Sequence, residues 1–420
     1  MGFQQGLSGL NASSKNLEVI GNNIANANTF GAKVSRAEFA DMYANAIGGS
    51  TNNAIGIGTT VAAVAQQFTQ GNITTTENPL DIAINGGGFF QLSNTGGAIS
   101  YSRNGQFKVN DAGFIVNNQQ QRLMGYPADA TGIIIPGAAT PLQMPTAGIK
   151  PAITTKISME MNLDARAAIT LPGAGAPINF ADPTTYNNAT SQTVYDAKGQ
   201  DVSLTYYFQK AGTDTWNVYI AANGVPISTA GGNPSATTQI TFPANGGAPT
   251  APVGAVTINI PSVTNSAGAV TVPIPGVSVD VGKATEYGSQ FGVTDLTQDG
   301  YASGKLIGVQ FDNNGIIEAR YSNGQTKPAG QLELATFRNA QGLQPQGGNA
   351  WTRTVSSGDA VLGVPGSGNQ GVLQAGALEE SNVDLTGELV SMITAQRVYQ
   401  ANAQTIKTED QILQTIVNLR

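Results

Sequence analysis

The first 24 residues place apolar side chains at the spacing of a helix. Steps of four and three residues from Phe3 lead to Leu7, Leu10, Ser14, Leu17, Gly21 and Ile24. Such a 3-4 alternation is typical of a coiled-coil seam. Glycines within the segment weaken a free helix, since glycine costs about 1 kcal/mol relative to alanine in a helix interior. We therefore predict an N-terminal helix that is marginal on its own.

The last 40 residues repeat the pattern with no proline and a single glycine. The same alternation gives Leu389, Met392, Gln396, Tyr399, Ala403, Ile406, Asp410, Leu413 and Val417. Asp384 or Ser381 would cap the helix N-terminus. We expect the two narrow seams to pack against each other or against copies of themselves.

Between the ends, the pattern changes from helical to strand periodicity. Residues 47 to 71 are rich in glycine, threonine and alanine without a sustained period, which indicates a connector. Hairpins are predicted at 107 to 116, 202 to 222 and 308 to 321, where strand-forming runs flank turn residues. From Trp216 to Val279 there is no charged residue, and short strands in a closed or two-sheet unit are expected there, with prolines at the sheet edges.

These patterns predict a multidomain α+β protein with nested parts. The terminal helices would pack together as a coiled-coil-like pair, with two mainly antiparallel β domains between them. The predicted parts are a helical domain (1–46 with 377–420), a connector (47–71), an outer β domain (72–147 with 286–376) and an inserted β domain (148–285) that is the most exposed.

Composition excludes several classes of function. Twenty basic and 27 acidic residues give a net charge of −7, and no basic stretch suits a phosphate backbone, so nucleic acid is not an expected partner. Cysteine and histidine are absent, which removes common nucleophiles, bases and metal ligands, and we expect neither enzyme activity nor a metal or cofactor. The N-terminus does not resemble a secretory signal peptide, and no apolar run is long enough for membrane insertion. The protein would be cytosolic, or exported by a machine that reads another signal.

Local motifs that suggest chemistry have simpler explanations. Gly86-Gly87-Gly88 lacks the ending of a phosphate-binding loop, and Asp312-Asn313-Asn314-Gly315 lacks the ligand spacing of a calcium loop, so both predict turns. The carboxylate pairs Asp196 with Asp201 and Asp295 with Asp299 occur in turn-rich contexts, and we expect turn and solvent roles for them.

The segment NNIANANTFGAK at 22 to 33 is unusual at the end of a helical pattern, since asparagine competes with the helix backbone for hydrogen bonds. Asn22 and Asn26, one turn apart, would offer amides to neighbouring helices. Asn28 and Gly31 suit a chain reversal. The segment is expected to end the helix and lead into the β domains.

Three long motifs resemble one family. GLSGLNASSKNLEVIGNNIANANTFGAK is similar to the N-terminal motif of bacterial flagellar rod, hook and hook-associated axial proteins, and SNVDLTGELVSMITAQRVYQANAQTIKTEDQILQTIVNLR to their C-terminal end. NPLDIAINGGGFFQLS and YSRNGQFKVNDAGFIVN resemble the shared outer β domain. The large insert and the form of the C-terminal motif favour a hook subunit over the shorter rod proteins.

The resemblance implies a self-assembling structural subunit of a flexible curved tube that transmits torque from rod to filament. Its partners would be further copies of itself, the rod, the hook cap, hook-associated proteins and the type III export apparatus. It would be extracellular, exported through the flagellar channel without a cleaved signal peptide. The alternatives are a distal rod or hook-associated junction protein and, from another class, an extracellular β-rich adhesin.

Two sets of residues follow from these inferences. The predicted assembly positions on the helix seams are Leu7, Leu10, Leu17, Ile20, Ile24, Leu389, Met392, Ile393, Tyr399, Ile406, Leu413 and Val417. The residues carried by the family motifs are Asn22, Asn23, Ala25, Asn26, Asn28, Ser381, Asn382, Asp384, Glu388, Gln396 and Arg397.

Overall fold

The structure is a computed structural model, and it describes residues 2–43, 56–129, 131–145, 147–170 and 178–418. The chain divides into two compact units. Unit 1 comprises Met1–Thr146, Ile307–Arg320 and Thr326–Arg420, and unit 2 comprises Ala147–Leu306 with Tyr321–Gln325. Unit 2 is therefore inserted into unit 1 along the chain, with its main boundaries at 147 and 306, where the sequence predicted 148 and 285.

The N-terminal part of unit 1 starts with one long helix and continues with strands. In chain order these elements are α1 (Gly2–Ala25), β1 (Ser35–Tyr43), β2 (Gly56–Gln66), β3 (Ile73–Thr75), β4 (Ile82–Asn85), β5 (Phe89–Ser93), β6 (Ile99–Ser102), β7 (Lys108–Val109), β8 (Ile115–Val116), β9 (Arg122–Pro127) and β10 (Thr140–Pro141).

Unit 2 is built of strands and one short 3₁₀ helix at Pro183–Thr185 in its described residues. Its strands are β11 (Lys156–Asn162), β12 (Asn188–Tyr195), β13 (Asp201–Gly212), β14 (Thr215–Ala222), β15 (Val225–Pro226), β16 (Thr229–Ala230), β17 (Asn233–Pro234), β18 (Thr238–Thr241), β19 (Val256–Ile260), β20 (Ile274–Asp280) and β21 (Gly292–Gln298).

The C-terminal part of unit 1 ends in the second long helix. Its elements are β22 (Leu306–Phe311), β23 (Ile316–Tyr321), β24 (Thr326–Leu332), β25 (Leu334–Thr336), a 3₁₀ helix (Ala340–Gly342), β26 (Gln344–Gly347), β27 (Ala350–Thr352), β28 (Val361–Gly363), β29 (Val372–Ala375), β30 (Ala377–Glu379) and α2 (Leu385–Asn418).

Unit 1 has a large sheet with the order β22-β23-β24-β9-β5-β6-β27-β26, to which β7, β8, β10, β25 and β28 attach. Its central strand β5 is buried on both faces, since Phe90 packs with Phe107 in one cluster and Phe89 with Trp351 in another. Two small antiparallel pairs, β3-β30 and β4-β29, join the N-terminal part of the chain to the C-terminal part.

Unit 2 contains a four-stranded sheet, β19-β20-β11-β21, and a five-stranded sheet of β12, β13, β14, β15 and β18. Alternate residues of β11 and β13 are buried, as the strand period of two requires, and side chains of both sheets form one apolar core. Pro226 lies in β15, at the edge of the five-stranded sheet. The charge-poor stretch thus forms part of a two-sheet unit, as expected.

The predicted hairpins are confirmed, and the predicted connector is partly wrong. β7 pairs antiparallel with β8, and β13 pairs antiparallel with β14. β22 lies beside β23 in the large sheet. Gly56–Gln66, however, form β2, which pairs with β1 from Ser35↔Gln66 to Tyr43↔Gly56. The sequence of β2 shows no alternation of apolar and polar residues, because most of its residues are small. The strand is stabilised by its long backbone pairing with β1. Residues 47 to 55 of the predicted connector lie outside the described residues.

Candidate functional site

The terminal helices contact each other within unit 1 through small residues. A Cβ atom at Gly6 would lie 2.9 Å from Ile406 Cγ1, and one at Gly9 would lie 2.8 Å from Asn402 Nδ2. The Asn402 amide also donates to the hydroxyl of buried Ser13 over 3.5 Å. The two backbones approach closely because these positions of α1 carry almost no side chain.

This contact is rotated from the predicted α1 seam by one residue, or about 100° around the helix. The positions that face α2 or the core, Gly6, Gly9, Ser13, Ile20 and Asn23, fall one residue before the predicted Leu7, Leu10, Ser14, Gly21 and Ile24. Ile20 is buried, while Leu10, Leu17 and Ile24 are half-buried. Leu7 remains 44% exposed and Phe3 46% exposed. Of the two predicted partners for this apolar row, the other terminal helix does not bury its first two turns, and packing against copies of the chain stays a prediction.

The predicted α2 positions are likewise partly buried and partly exposed. Met392 and Ile406 are half-buried, and Ala395, which was not predicted, is buried. The other predicted apolar positions are exposed, namely Leu389, Ile393, Tyr399, Leu413 and Val417. Further large apolar side chains are exposed on this helix at Leu385, Val390, Val398 and Ile412. The helix pair thus leaves considerable apolar surface without a partner in the described chain.

The β1-β2 hairpin lies along another side of α1. The Gln5 side-chain amide donates to the Gly56 carbonyl over 2.6 Å, and the Thr59 N–H donates to the Ser8 hydroxyl over 3.3 Å. The hairpin therefore covers the side of α1 that carries Gln5 and Ser8, whereas Phe3 and Leu7 stay nearly half exposed.

Asn23 fixes the exit of the chain from α1. Its side chain is 3% exposed, accepts a hydrogen bond from Ser35 N over 2.9 Å and donates to Ser35 O over 2.8 Å. It also donates to Glu388 Oε1 on α2 over 3.2 Å. One amide thus joins the end of α1, the start of β1 and the first turn of α2.

Asn22 and Asn26 bond to each other in this chain, and their predicted bonds to neighbouring helices stay a prediction. The Asn26 amide donates back to the Asn22 carbonyl over 2.9 Å and to its side-chain oxygen over 3.2 Å, so both side chains end α1 locally. The predicted reversal is present, because Gly31 has φ +72° and an added Cβ would lie 2.5 Å from Asn104 N. Glycine at 31 is therefore required by both the backbone conformation and the close approach.

The C-terminal motif holds the start of α2. Asp384 caps the helix by accepting a hydrogen bond from Thr386 N over 3.1 Å, which decides between the two predicted caps. Asn382 accepts from Val34 N over 2.7 Å and donates to the Gln67 carbonyl over 2.9 Å. The motif residues Ala25, Asn28, Gln396 and Arg397 are exposed, and Ser381 is half-buried.

A buried ion-pair cluster lies beside this junction, and the sequence did not predict it. Glu379 Oε1 is 2.5 Å from Lys33 Nζ and Glu379 Oε2 is 3.1 Å from an Arg103 guanidinium nitrogen, with these side chains 0 to 5% exposed. Gly71 N also donates to the carboxylate, and Arg103 donates to the Gly86 carbonyl. Burial lowers the pKa of Lys33 and Arg103, and the Glu379 carboxylate opposes that effect in both.

Removing one partner of such a cluster is costly, because an unpaired buried charge loses its solvation without compensation. Lys33, Arg103 and Glu379 come from three separate parts of the chain, so no local pattern brings them together. Gly6, Gly9 and Ser13, also missed, had a detectable pattern, since small residues at 3-4 spacing mark a close helix contact.

The described residues provide no sign of a catalytic or metal centre. No group of three or more acidic residues able to hold a metal occurs among them. Within those same residues, no helix combines the length and apolar character needed to cross a bilayer. Asp196 accepts from the N–H groups of Lys198 and Gln200 in its own turn. Asp299 accepts from those of Thr155 and Lys156, more than 140 residues away in sequence, so it holds the start of β11.

Comparison with protein-family models places the chain in a class. Residues 3–33 match the flagella basal body rod protein model and 83–149 the flagellar hook protein FlgE/F/G D1 domain. Residues 162–301 match the flagellar basal body protein FlaE D2 domain, and 374–419 the flagellar basal body rod FlgEFG protein C-terminal model. The terminal helices, the outer sheet and the inserted unit all therefore match models of flagellar axial proteins.

Full-length relatives identify the family within that class. The chain is 42% identical over 422 residues to flagellar hook protein FlgE of Escherichia coli K12, covering 100% of both chains, and 41% identical over 422 residues to that of Salmonella typhimurium LT2, again covering 100% of both. It is 32% identical over 460 residues to FlgE of Treponema pallidum, covering 99% of this chain and 98% of the relative. The chain belongs to the flagellar hook protein family.

A solved structure has the same fold. The crystal structure of Helicobacter pylori flagellar hook protein FlgE2 aligns with a TM-score of 0.51 at 14% identity, covering 73% of this chain and 99% of that chain. The protein is a structural subunit that polymerises into the flagellar hook, and its family is structural and not enzymatic. The predicted hook function is confirmed over the rod and adhesin alternatives.

Proposed function

We propose that α1 and α2 are the polymerisation elements of this hook subunit, and that neighbouring subunits cover their exposed apolar side chains. The observation that carries the proposal is the amount of such surface in unit 1. Soluble monomers rarely leave large contiguous apolar patches in water. The exposed residues are Phe3, Leu7, Leu385, Leu389, Val390, Ile393, Val398, Tyr399, Ile412, Leu413 and Val417.

The helix pair is suited to ordering on assembly. α1 contains glycines at its contact with α2, so its intrinsic helix stability is low. A helix that gains most of its burial from neighbours is stabilised by mass action as they bind. The 3-4 spacing of Gly6, Gly9 and Ser13 against Asn402 and Ile406 supports a coiled-coil-like arrangement of the pair.

The family-motif residues have a proposed role at the junction below the helices. Asn23, Asn382, Asp384 and Glu388 hold the ends of α1 and α2 beside the start of β1, as their hydrogen bonds support. A fixed junction would pass force between the helical part of the tube and the outer β parts.

We also propose the partners and the export route of the hook family for this chain. The partners would be the rod, the hook cap, hook-associated proteins and the type III export apparatus. Export would proceed through the flagellar channel without a cleaved signal peptide, as the resemblance to that family implies.

Bending of the tube during rotation requires subunits to slide. The charge-free stretch from Trp216 to Val279 supports this, because surfaces without ion pairs change contacts at low electrostatic cost. This proposal concerns the inserted unit, which we expect on the outside of the tube.

The test is polymerisation of purified protein in high salt, followed by negative-stain electron microscopy. The parent should form curved tubes, and circular dichroism should show more helix in tubes than in dilute monomer. The double variant Leu389→Glu/Ile393→Glu should abolish tubes, because two charges would be buried in an apolar contact. Its β content should remain unchanged.

The matched control is Val355→Glu, which places a charge on a fully exposed side chain of unit 1 that belongs to neither helix. This variant should form tubes normally. Tubes from the helix double variant, at the yield of the parent, would contradict the assignment of α2 as a polymerisation element.

A further inference from the structure

A groove runs between α1, α2 and the β1-β2 hairpin of unit 1. Its volume is about 520 Å³ and it is open to solvent. Gly9, Ala12 and Ser13 of α1 form its floor. Val390, Thr394 and Val398 repeat every four residues along one side of α2, and Phe39 with Thr59 closes the hairpin side.

The lining of the groove is uncharged and mostly apolar. Phe39 is 43% exposed, Val390 60% and Val398 48%, so the groove walls present apolar side chains to water. The remaining lining residues are small or neutral, with Asn16 and Asn402 as the largest polar ones. Covering this surface would release about 25 cal/mol for each Å² of apolar area removed from water. A charged occupant would lose its hydration there without a partner.

The chain itself carries a surface with matching properties. Residues 2 to 14 contain no charged side chain. Within them, Phe3 and Leu7 are one helical turn apart on α1 and nearly half exposed. Together they form a short apolar ridge.

The exposed apolar residues of α2 match the groove less well. Leu389 follows Glu388 in sequence, Leu385 follows Asp384, and Ile412 with Leu413 lies close after Glu409 and Asp410. Insertion of any of these rows would bring a charge to the edge of an uncharged groove. The ridge on α1 avoids that cost.

We propose that the groove between α1, α2 and the hairpin receives Phe3 and Leu7 of a neighbouring subunit in the hook. This inference rests on the proposed role of the helices in polymerisation and names the contact within it. The ridge and the groove occupy different levels and different sides of α1. The contact is therefore heterologous, so that each subunit donates a ridge to one neighbour and accepts one from another, as a helical polymer requires.

The natural absence of cysteine allows a direct test by cross-linking. Leu7→Cys and Val398→Cys are made as separate full-length proteins, and both side chains are exposed, so each variant should fold. The two are mixed, polymerised and treated with a short bis-maleimide. A mixed dimer on a denaturing gel then reports contact between two different subunits.

The controls are each variant polymerised alone and Leu7→Cys mixed with Val355→Cys. Val355 is the same residue type as Val398 and fully exposed. The Leu7→Cys/Val398→Cys mixture should give at least about tenfold more dimer than any control, because the groove would hold the two sulfurs at a high effective concentration.

Two results would overturn the proposal in distinguishable ways. If tubes form and the Leu7→Cys/Val398→Cys mixture gives no more dimer than the controls, the groove is not the site for the ridge, and the role of the helices in assembly stands. If the cysteine-free parent forms no tubes, the proposed polymerisation role of the helices is wrong. The proposal that a neighbouring subunit occupies the groove is then wrong as well.

Discussion

Two buried glutamates of unit 1 differ in whether they have partners. Glu379 faces Lys33 and Arg103 and accepts a hydrogen bond from Gly71 N. Glu333, between β24 and β25, is 0% exposed, and neither carboxylate oxygen has a hydrogen-bond partner of good geometry among the described residues. Burial raises the pKa of Glu333 to about 6, and the nearby Tyr126 hydroxyl opposes this only in part.

This raised pKa predicts a pH dependence of stability. A carboxyl group whose pKa is higher folded than unfolded binds its proton more tightly in the folded state, so stability falls as pH rises through the window from 4.5 to about 6. At pH 7 the ionised group should cost about 2 kcal/mol. Glu333→Gln should remove that cost, measured as slower amide hydrogen exchange at residues 326 to 336 at pH 7 than in the parent, after correction for intrinsic exchange rates.

The control for Glu333→Gln is Glu318→Gln on β23, where the carboxylate is half-buried and bonded to Gln310. In Glu318→Gln, the difference in amide exchange rate between pH 5 and pH 7 at residues 326 to 336 should equal that of the parent. An equal pH dependence of exchange in the parent and in Glu333→Gln would contradict the assignment.

At the scale of elements, the end of α1 is held by one asparagine and not by its neighbour. Asn23 is buried and bonds both backbone groups of Ser35, whereas Asn22 is exposed. Asn23→Leu should leave Ser35 N and O without these partners and destabilise the junction by about 1 to 3 kcal/mol. The measurement is the exchange rate of the Ser35 amide in the monomer, which should rise by about one to two orders of magnitude.

The matched variant is Asn22→Leu, since it makes the same chemical change one residue earlier on an exposed face. It should leave the Ser35 exchange rate unchanged, and any effect on the yield of tubes would then report contacts with neighbouring subunits. Equal protection of Ser35 in both variants would show that the Asn23 amide does not hold the junction.

At the scale of the whole molecule, each unit has a hydrophobic core of its own. Ile149 and Gly304 pair in an isolated antiparallel bridge, so the chain enters and leaves unit 2 at adjacent points. Replacing residues 150 to 303 by Asn-Gly, which suits a two-residue hairpin turn, should leave unit 1 folded. Trp351 then remains as the single tryptophan, because Trp216 is removed with unit 2.

The expected result is a cooperative thermal transition of Trp351 fluorescence. Its midpoint should lie within about 5 °C of the midpoint for unit 1 in the parent, which corresponds to a change of about 1 to 2 kcal/mol in the free energy of unfolding. The protein with Trp216→Phe provides the reference, since its fluorescence also comes from Trp351 alone. Loss of a cooperative transition in the shortened chain would contradict independent folding of unit 1.

The sequence by itself determined those features that depend on neighbours along the chain. The 3-4 spacing of apolar residues predicted both terminal helices, since periodicity reports which residues share a helix face. Turn residues such as Asn110 to Gly113 predicted hairpins, since turn chemistry acts over four residues. The long motifs at the chain ends identified the family.

Only the tertiary structure decided which side of each helix meets the other and which charges meet in the interior. α1 packs on the side of Gly6 and Gly9, one residue away from the apolar row, because small side chains permit close backbone contact that leucines would prevent. Glu379 pairs with Lys33 from 346 residues away. Such contacts depend on the complete packing of unit 1, and local sequence patterns carry no information about partners so distant along the chain.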